Sequence, residues 1–348
     1  MSIVILKLPE VKPSNETRPQ VCPYCSGGTF QRWGGQRKAI KDNRLNEVVV
    51  YRYRCNHCQR TFRHYPEGVD RARQTQRLRK LAAIAWVLGM SLRGVSLILS
   101  AFEVELSHMT VWRDLQEQAA MLEKLRHWQG VRVLGVDGAY PLGWGKKQPV
   151  LIAVDLGTGQ PVAIGQVDEA NPQAVRRFLQ PLVQRLGVSV IVSDDLASFR
   201  QVAEKLGLEH QVCQFHVRRW VGRTLHDLRQ TVPKEWQWVL DEIKHLLAEL
   251  PLEGSRRLFE LWKQIPERRI GQSGERSPLE MLRSLLIRLS EHWQSYRVFD
   301  WQPDVPWTNN GSEQVIGKMK MRSRTVRGYK SWQGMWAALL LAGTGVNF

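Results

Sequence analysis

The chain has 348 residues, of which 43% are hydrophobic, and Lys and Arg outnumber Asp and Glu by 50 to 33. This length suits two or three folded domains, and a net charge of +17 favours a polyanionic partner, above all nucleic acid. No uncharged run of about 20 apolar residues could span a bilayer, and the N-terminal apolar run is too short for a signal peptide. The composition therefore excludes an integral membrane protein and indicates an intracellular protein that binds nucleic acid.

Four of the five cysteines form two Cys-x-x-Cys pairs, namely Cys22, Cys25, Cys55 and Cys58. In a reducing compartment this spacing indicates metal ligation rather than disulfide bonds. Four thiolates can hold one Zn²⁺ tetrahedrally, and the metal supplies folding free energy that so small a core lacks. We therefore predict a zinc ribbon over residues 1–70. A redox dithiol would need only one pair, and a Cys₃His site using His57 or His64 is a variant of this prediction.

The next segment, residues 71–128, has three helical patterns. Apolar residues recur at helical spacing from Gln74 to about Gly89, a shorter pattern follows, and Ser107 can cap a third helix that includes Arg113. Three helices with a compact turn between the second and third favour a helix-turn-helix DNA-binding domain, whose last helix would enter a major groove. The alternative is a helical linker.

After Gly130 the pattern changes to strands and then returns to helices. Four apolar runs predict strands, at 131–136, 149–154, 161–167 and 188–192, and Asn171 can cap a helix before the fourth. Residues 129–216 therefore predict an α/β layer. From 217 to 304 the pattern is helical throughout and predicts an all-helical insertion.

The C-terminal segment, residues 305–348, contains a basic tract and an apolar helical pattern. The tract consists of Lys318, Lys320, Arg322, Arg324, Arg327 and Lys330. Because Gly328, Tyr329 and Trp332 interleave these charges, we predict contact with DNA phosphates rather than a solvated helix face.

Three acidic residues stand where a fold presents carboxylates. Asp137 and Asp194 each follow an apolar run and are expected just past the end of a strand, whereas Glu313 lies at a helix start. Hard cations such as Mg²⁺ take oxygen ligands, and two such ions can clamp the attacking and leaving oxygens of a phosphoryl displacement. Asp195 is the alternative to Asp194, and Asp304 is the rival of Glu313.

These residues resemble the signature of DDE transposases. The motifs are Val136-Asp137-Gly138, Val192-Ser193-Asp194-Asp195, Cys213-Gln214-Phe215-His216 and Asn310-Gly311-Ser312-Glu313. The sequence is most similar to Mutator-type transposases and bacterial insertion-sequence relatives, in which a Cys-x-x-His follows the second Asp and a helical insertion precedes the Glu. The resemblance covers residues from about 130 to 345.

The resemblance implies a mixed five-stranded ribonuclease H-like core, split by the helical insertion and preceded by the zinc ribbon and the helix-turn-helix domain. It also implies that Asp137, Asp194 and Glu313 bind two Mg²⁺ or Mn²⁺ ions, and that the enzyme cuts insertion-sequence ends and joins them to target DNA. Cys213 and His216 are then accessory residues near the acidic site. As a second zinc site they would need further ligands, for which His210 is a candidate.

Several expectations about partners follow from the same resemblance. Two transposon ends must meet, so at least a homodimer on double-stranded DNA is expected, in the cytoplasm of a bacterium and at its nucleoid. Two alternatives remain open. One is a DNA-binding regulator with an inert core, and the other is a nuclease of related fold that cleaves without joining.

Overall fold

The computed structural model describes residues 7–15, 17–125, 130–267, 277–326 and 328–345. The chain divides into two compact units, one formed by Met1–His127 with Lys318–Phe348, and the other by Trp128–Gly317. The five predicted segments, with boundaries after residues 70, 128, 216 and 304, stay a prediction. From Lys318 onward the observed division differs from the predicted grouping of 305–348 with the core.

The first unit begins with a three-stranded antiparallel sheet. Its strands are β1 (Phe30–Ala39), β2 (Glu47–Cys55) and β3 (Thr61–His64), in the order β1-β2-β3. Alternate residues of β2 point inward, which buries Val48 and Val50. They pack with three more aliphatic residues, Val11, Ile40 and Val69. This core is small, so another stabilising element is required.

Three helices follow at the predicted places: α1 (Gln76–Val87), α2 (Leu92–Ser100) and α3 (His108–Leu125). Side-chain hydroxyls cap each of them, because Thr75 accepts a hydrogen bond from Leu78 N, Ser91 from Gly94 N and Ser107 from Thr110 N. The capping residues therefore explain where these three helices begin. Their role as a helix-turn-helix stays a prediction.

Two arginines of α1 are engaged in buried ion pairs and are not free to contact phosphates. Arg77 is buried and ion-paired with Asp42, and Arg79 is buried and ion-paired with Asp70 and Glu117. A buried guanidinium needs such partners to offset the loss of hydration. These arginines thus fix α1 to its surroundings.

The second unit is built on a mixed five-stranded sheet in the order β10-β9-β4-β7-β8. Its strands are β4 (Val133–Ala139), β7 (Val150–Asp155), β8 (Gln160–Gly165), β9 (Val190–Ser193) and β10 (Glu209–Val212), with a small hairpin of β5 (Leu142–Gly143) and β6 (Lys146–Lys147) between β4 and β7. Strands β4, β7 and β8 run antiparallel, whereas β9 and β10 run parallel to β4. This sheet supports the predicted ribonuclease H-like core.

Two helices pack against this sheet, and capping residues mark the ends of the first. Helix α4 (Pro172–Leu186) starts at Asn171, whose side chain accepts from Gln173 N and Ala174 N, and ends at Gly187 with φ of 74°. Helix α5 (Ala197–Leu206) follows β9. Aliphatic residues of α4 and α5 pack with those of β4, β7 and β9 in one core.

Helices dominate the described chain from Gln214 to Asp300, in agreement with the helical pattern predicted for 217–304. The helices are α6 (Gln214–Thr231), α7 (Gln237–Glu249), α8 (Gly254–Gln264) and α9 (Pro278–His292), and they share a core that includes the fully buried Trp293. The stretch from Arg268 to Arg276, predicted as a loop, lies outside the described residues. Across the described ranges, no helix is both long and apolar enough to cross a membrane.

The chain closes with α10 (Asn310–Arg324) and α11 (Trp332–Thr344). In the first unit α11 packs on α3, where Gly334 lies so close to Trp112 that an added Cβ would stand 2.9 Å from its ring. The apolar C-terminal helix therefore completes the packing of the three-helix segment.

Candidate active site and metal centres

Asp137 lies inside strand β4 rather than beyond its end. The strand continues through Ala139 because Asp137 pairs with Ile152 of β7, and the two following residues are paired as well. The side chain is half-buried, and its Oδ1 accepts a hydrogen bond from the backbone N–H of Gly138 at 2.7 Å. The strand thus ends three residues later than the predicted Val136, although Asp137 does lie at the carboxyl-terminal part of β4.

Asp194 follows β9 directly, as predicted. Strands β4 and β9 are parallel, and their last paired residues are Gly135 and Val192. Asp137 and Asp194 both come two residues after that pair, so they stand at the same level of adjoining strands. Neighbouring strands are about 4.8 Å apart, a spacing that lets two carboxylates share one ion.

Glu313 lies in the first turn of α10 and is held close to β4 by the residues before it. Asn309 donates from Nδ2 to the carbonyl of Val136 at 3.1 Å, and its backbone N–H donates to Cys213 Sγ at 3.3 Å. An added Cβ on Gly135 would stand 2.2 Å from Ser312 Oγ and 2.7 Å from Asn309 Oδ1. Only glycine at 135 therefore allows this close approach of α10 to the strand.

His216, in the first turn of α6, connects two of the acidic residues. Its Nδ1 is 2.9 Å from Asp194 Oδ1 and 3.7 Å from Glu313 Oε1. The contact with the Asp194 carboxylate, and after it the contact with Cys213, raises the pKa of His216 to about 10. Without a metal ion the imidazole is then cationic at neutral pH and offsets the repulsion between the two carboxylates, whereas as a metal ligand it would be neutral, because metal binding releases the proton.

Three atoms of this cluster fit a divalent cation. Asp194 Oδ1, His216 Nδ1 and Glu313 Oε1 are all buried, and none has a well-aligned hydrogen-bond partner among the described residues. Buried polar atoms without partners are costly, and a cation or an ordered water satisfies them. With Asp137 on the adjoining strand, the donor set offers carboxylate oxygens of the kind that Mg²⁺ and Mn²⁺ take.

Asp195, the alternative to Asp194, is engaged elsewhere. Its carboxylate is 4% exposed, is ion-paired with Arg200 and lies 2.7 Å from a guanidinium nitrogen of Arg288. Both of its oxygens are thus committed to arginines. This geometry favours a structural role for Asp195 and supports the choice of Asp194.

A stability measurement separates the two aspartates. We expect Asp195→Asn to lower the free energy of unfolding by about 2–3 kcal/mol, because it leaves two guanidinium groups without a full counter-charge. Asp194→Asn removes the nearest counter-charge of His216 but leaves Glu313 as a second one, and because these side chains are partly exposed it should lower the free energy of unfolding by less than about 1 kcal/mol. Denaturant unfolding of both variants checks this, and a greater loss of stability in Asp194→Asn would contradict it.

The two Cys-x-x-Cys turns have the same geometry. In each, the backbone N–H of the residue after the second cysteine donates to the carbonyl of the first cysteine at 3.0 Å, and that residue has a positive φ, 58° at Ser26 and 61° at Gln59. Backbone N–H groups of Cys58 and His57 donate to Cys55 and lower its pKa to about 6, which favours the thiolate. Each of the two turns therefore contributes two thiols to one cluster.

The distances between the thiols fit a single Zn²⁺. Cys22 Sγ and Cys58 Sγ are 3.7 Å apart, Cys25 Sγ and Cys55 Sγ are 3.6 Å apart, and all four lie within 4.8 Å of one another. Sulfur ligands of a tetrahedral zinc ion are about 3.8 Å apart, since each Zn–S bond is about 2.3 Å. The four-cysteine cluster is therefore compatible with zinc, whereas His57 and His64 do not belong to it.

Among the predicted DNA contacts, most are exposed and one is not. Arg113, Lys318, Lys320, Arg324 and Lys330 are exposed. Arg322 is buried, stacks on Trp86 at 4.0 Å and donates to Thr325. Burial lowers its pKa, and its packing leaves it no free face for a phosphate. Arg327 lies outside the described residues.

Sequence reasoning missed the residues that assemble the site. Gly135, Asn309 and Ser312 bring α10 against β4, and the carboxylate of Glu169 packs on Gly138, next to Asp137. The candidate ligand His210 does not join Cys213 and His216, because its Nε2 is paired with Ser193 Oγ at 2.8 Å. The one signal in the sequence was the pair of asparagines before Glu313, which stood next to the motif without an assigned role.

Comparison with known proteins bears on this geometry. Residues 170–337, just under half of the chain, match the family model described as "Transposase IS66 family". An uncharacterized 48.3 kDa protein of the insertion element ISM1 of Methanobrevibacter smithii is 22% identical over 217 residues, which are 59% of this chain and 53% of that protein. The resemblance to DDE transposases is confirmed. The finer likeness to Mutator-type transposases stays a prediction.

These matches cover only part of the chain. The matched range contains Asp194, Cys213, His216 and Glu313 but not Asp137. The chain spans about half the length of the insertion-element protein. What the whole protein does, and on which DNA, therefore has to be argued from the site itself.

Two solved structures resemble this chain in part. The catalytic core of BIV integrase is 19% identical, with a TM-score of 0.21, and the match covers 47% of this chain and 99% of that one. The Drosophila P element transposase in its strand transfer complex is 11% identical, with a TM-score of 0.42, and the match covers 76% of this chain and 91% of that one. Both TM-scores are too low to define the fold.

Proposed function

We propose that the protein is a transposase that cuts DNA at the ends of an insertion sequence and joins those ends to target DNA. The observation that carries the proposal is the convergence of acidic residues from three elements. Asp137 of β4 and Asp194 after β9 stand at the same level of adjoining strands, and Glu313 lies within 3.7 Å of the histidine that contacts Asp194. Asp155 and Asp304, outside this cluster, are engaged in a turn and in an ion pair with Arg132.

The three carboxylates are proposed to hold two Mg²⁺ or Mn²⁺ ions. When bound, such ions supply Lewis-acid stabilisation of the scissile phosphate and lower the pKa of a water or 3′-hydroxyl nucleophile. The chain itself positions the ligands: Gly138 N–H orients Asp137, His216 contacts Asp194, and Asn309 fixes the start of α10. Preorganised ligands of this kind lower the cost of reaching the reactive geometry.

Double-stranded DNA is the proposed partner, both as the element's ends and as the target. The net charge of +17 and the exposed Lys318, Lys320, Arg324 and Lys330 suit phosphate contact. The four-cysteine cluster is proposed to hold a structural zinc ion, and the three helices after it to form the helix-turn-helix. Because two ends must react together, we propose that at least a homodimer acts, on chromosomal DNA in the cytoplasm.

One assay tests the proposal directly. The full chain is incubated with labelled DNA from both borders of the element that encodes it, with Mg²⁺ or Mn²⁺, and the products are separated on denaturing gels. We expect nicking at the element ends, followed by joined products with target DNA, and both should require the metal. Cleavage without joining would favour a nuclease, and metal-independent binding without cleavage would favour a regulator. Either outcome overturns strand transfer as the function.

A further inference from the structure

Three side chains at the edge of the acidic cluster are close enough together to hold a second kind of metal ion. One ligand atom from each of Cys213, His216 and Glu313 lies within 4.8 Å of the others. Ligands of one tetrahedral zinc ion are about 3.3–3.8 Å apart, given bonds of about 2.0–2.3 Å. The three side chains therefore need to close by only about 1 Å, which small rotations can provide.

The cluster is rigidly supported. Cys213 is fully buried at the end of β10, and the backbone N–H of Asn309 donates to its sulfur. His216 follows three residues later on α6, so the two side chains lie on the same face of the first turn. The carboxylate of Glu313 comes from α10. Ligands from a strand end and two helices are held without dependence on a mobile loop.

Unsatisfied atoms point to a ligand at this place. His216 Nδ1 and Glu313 Oε1 are buried and lack an aligned hydrogen-bond partner among the described residues. Asp194 Oδ1 also lacks an aligned hydrogen bond and is in ion-pair contact with His216 Nδ1 at 2.9 Å, so it is close enough to be a fourth ligand. One cation would satisfy all of these atoms together with the thiolate of Cys213.

The chemical types of the ligand atoms indicate which metal ion this cluster prefers. A thiolate and an imidazole are soft or borderline ligands, and they favour Zn²⁺ or Co²⁺ over Mg²⁺, which takes oxygen ligands. Glu313 belongs both to this set and to the three carboxylates proposed to hold Mg²⁺. The same carboxylate can thus be drawn toward either of two neighbouring ions of different chemistry.

We propose that Cys213, His216 and Glu313 bind Zn²⁺, and that this ion competes with catalytic Mg²⁺ for Glu313 and so inhibits the enzyme. Zinc binding stands on the geometry alone. The inhibition rests on the proposed function. The zinc at this place is separate from the structural ion proposed for the four cysteines of the N-terminal sheet.

The binding test counts zinc on the full chain by native mass spectrometry after equilibration with Zn²⁺ and removal of loosely bound metal. We expect two zinc ions per chain in the wild type and one in both Cys213→Ser and His216→Ala. His226→Ala, which changes an exposed histidine of the same helix, is the matched control and should keep two. With Co²⁺ in place of Zn²⁺, the part of the sulfur-to-cobalt absorption that comes from Cys213 should be lost in Cys213→Ser, and the part from the four cysteines should remain.

Because Cys213 is buried, its replacement can disturb folding, so a third ligand variant at a less buried position accompanies the count. Glu313→Gln removes a ligand from a half-buried position and is expected to weaken the second zinc ion at least tenfold, as loss of a metal-site residue commonly does. Two zinc ions in all three ligand variants, or one in a wild type that retains the four-cysteine zinc, would overturn the proposal.

The inhibition test adds Zn²⁺ to the DNA cleavage reaction at fixed Mg²⁺. We expect inhibition that a chelator reverses, and a zinc concentration for half inhibition that rises at least tenfold in Cys213→Ser. Equal inhibition of the wild type and Cys213→Ser would overturn the competition. A wild type that cuts no DNA, yet binds the second zinc ion, would instead overturn the proposed function and leave the zinc site standing.

Discussion

Asp137→Asn, Asp194→Asn and Glu313→Gln are each expected to abolish DNA cleavage and joining while the protein stays folded. Each replacement keeps the size of the side chain and removes the charge that a divalent ion requires. Metal ions contribute several kcal/mol of transition-state stabilisation, and about 2.7 kcal/mol already corresponds to a hundredfold change in rate. We therefore expect a loss of at least about a hundredfold in the rate of cleavage for each variant.

The measurement is single-turnover cleavage of end-containing DNA, with unfolding curves for each protein. Asp304→Asn is the matched control, because Asp304 is an exposed carboxylate whose ion pair with Arg132 lies apart from the cluster. It should retain cleavage within about twofold of wild type, as surface substitutions do. Activity that survives all three changes would refute the carboxylate site. Loss of activity in Asp195→Asn alone would show that the neighbouring aspartate had been chosen wrongly.

Removal of the zinc ion proposed for the four-cysteine cluster is expected to unfold the N-terminal sheet and leave the five-stranded sheet intact. The small sheet has only a few buried aliphatic side chains, among them Val48 and Val50. Structural zinc contributes about 10–16 kcal/mol of apparent binding free energy in small modules at neutral pH. Such a module cannot remain folded when that contribution is lost.

Hydrogen exchange checks this expectation after chelation and in Cys55→Ser. Backbone amides of β1 and β2 should exchange fast, whereas those of β4 and β9 should stay protected. His57→Ala is the control, since this exposed side chain lies between two of the cysteines but outside the cluster. It should keep both the zinc ion and the protection. Loss of zinc in His57→Ala would favour the Cys₃His variant, and a protected sheet without zinc would contradict a structural role for the metal.

Local patterns allowed much of the fold to be predicted from the sequence. The predicted caps at Ser107 and Asn171 are short-range signals, and α3 and α4 begin directly after them. Strand β10 escaped prediction because three of its four residues are polar, namely Glu209 and the buried pair His210 and Gln211. They are tolerated because they are buried with partners: Gln211, for example, donates to the carbonyls of Val212 and Tyr296.

The site was predictable only in part, for a different reason. The order of Asp137, Asp194 and Glu313 could be compared with a family pattern, but sequence distance does not show which side chains meet. The approach of Glu313 to Cys213 and His216 depends on Gly135 and Asn309, whose contacts join β4 to α10 across the whole helical segment. Likewise, the arginines that engage Asp195 come from α5 and α9 and could not be read from its neighbours.

The contact between Gly135 and the start of α10 can form only late in synthesis, because α10 is made after the helical segment. Chains emerge N-terminus first at about 5–20 residues per second, so both aspartates and their strands leave the ribosome on the order of ten seconds before Glu313. Until α10 has docked on β4, the nascent protein has two of its three proposed catalytic carboxylates. On the proposed function, the enzyme therefore cannot cut DNA before the helical segment has been made.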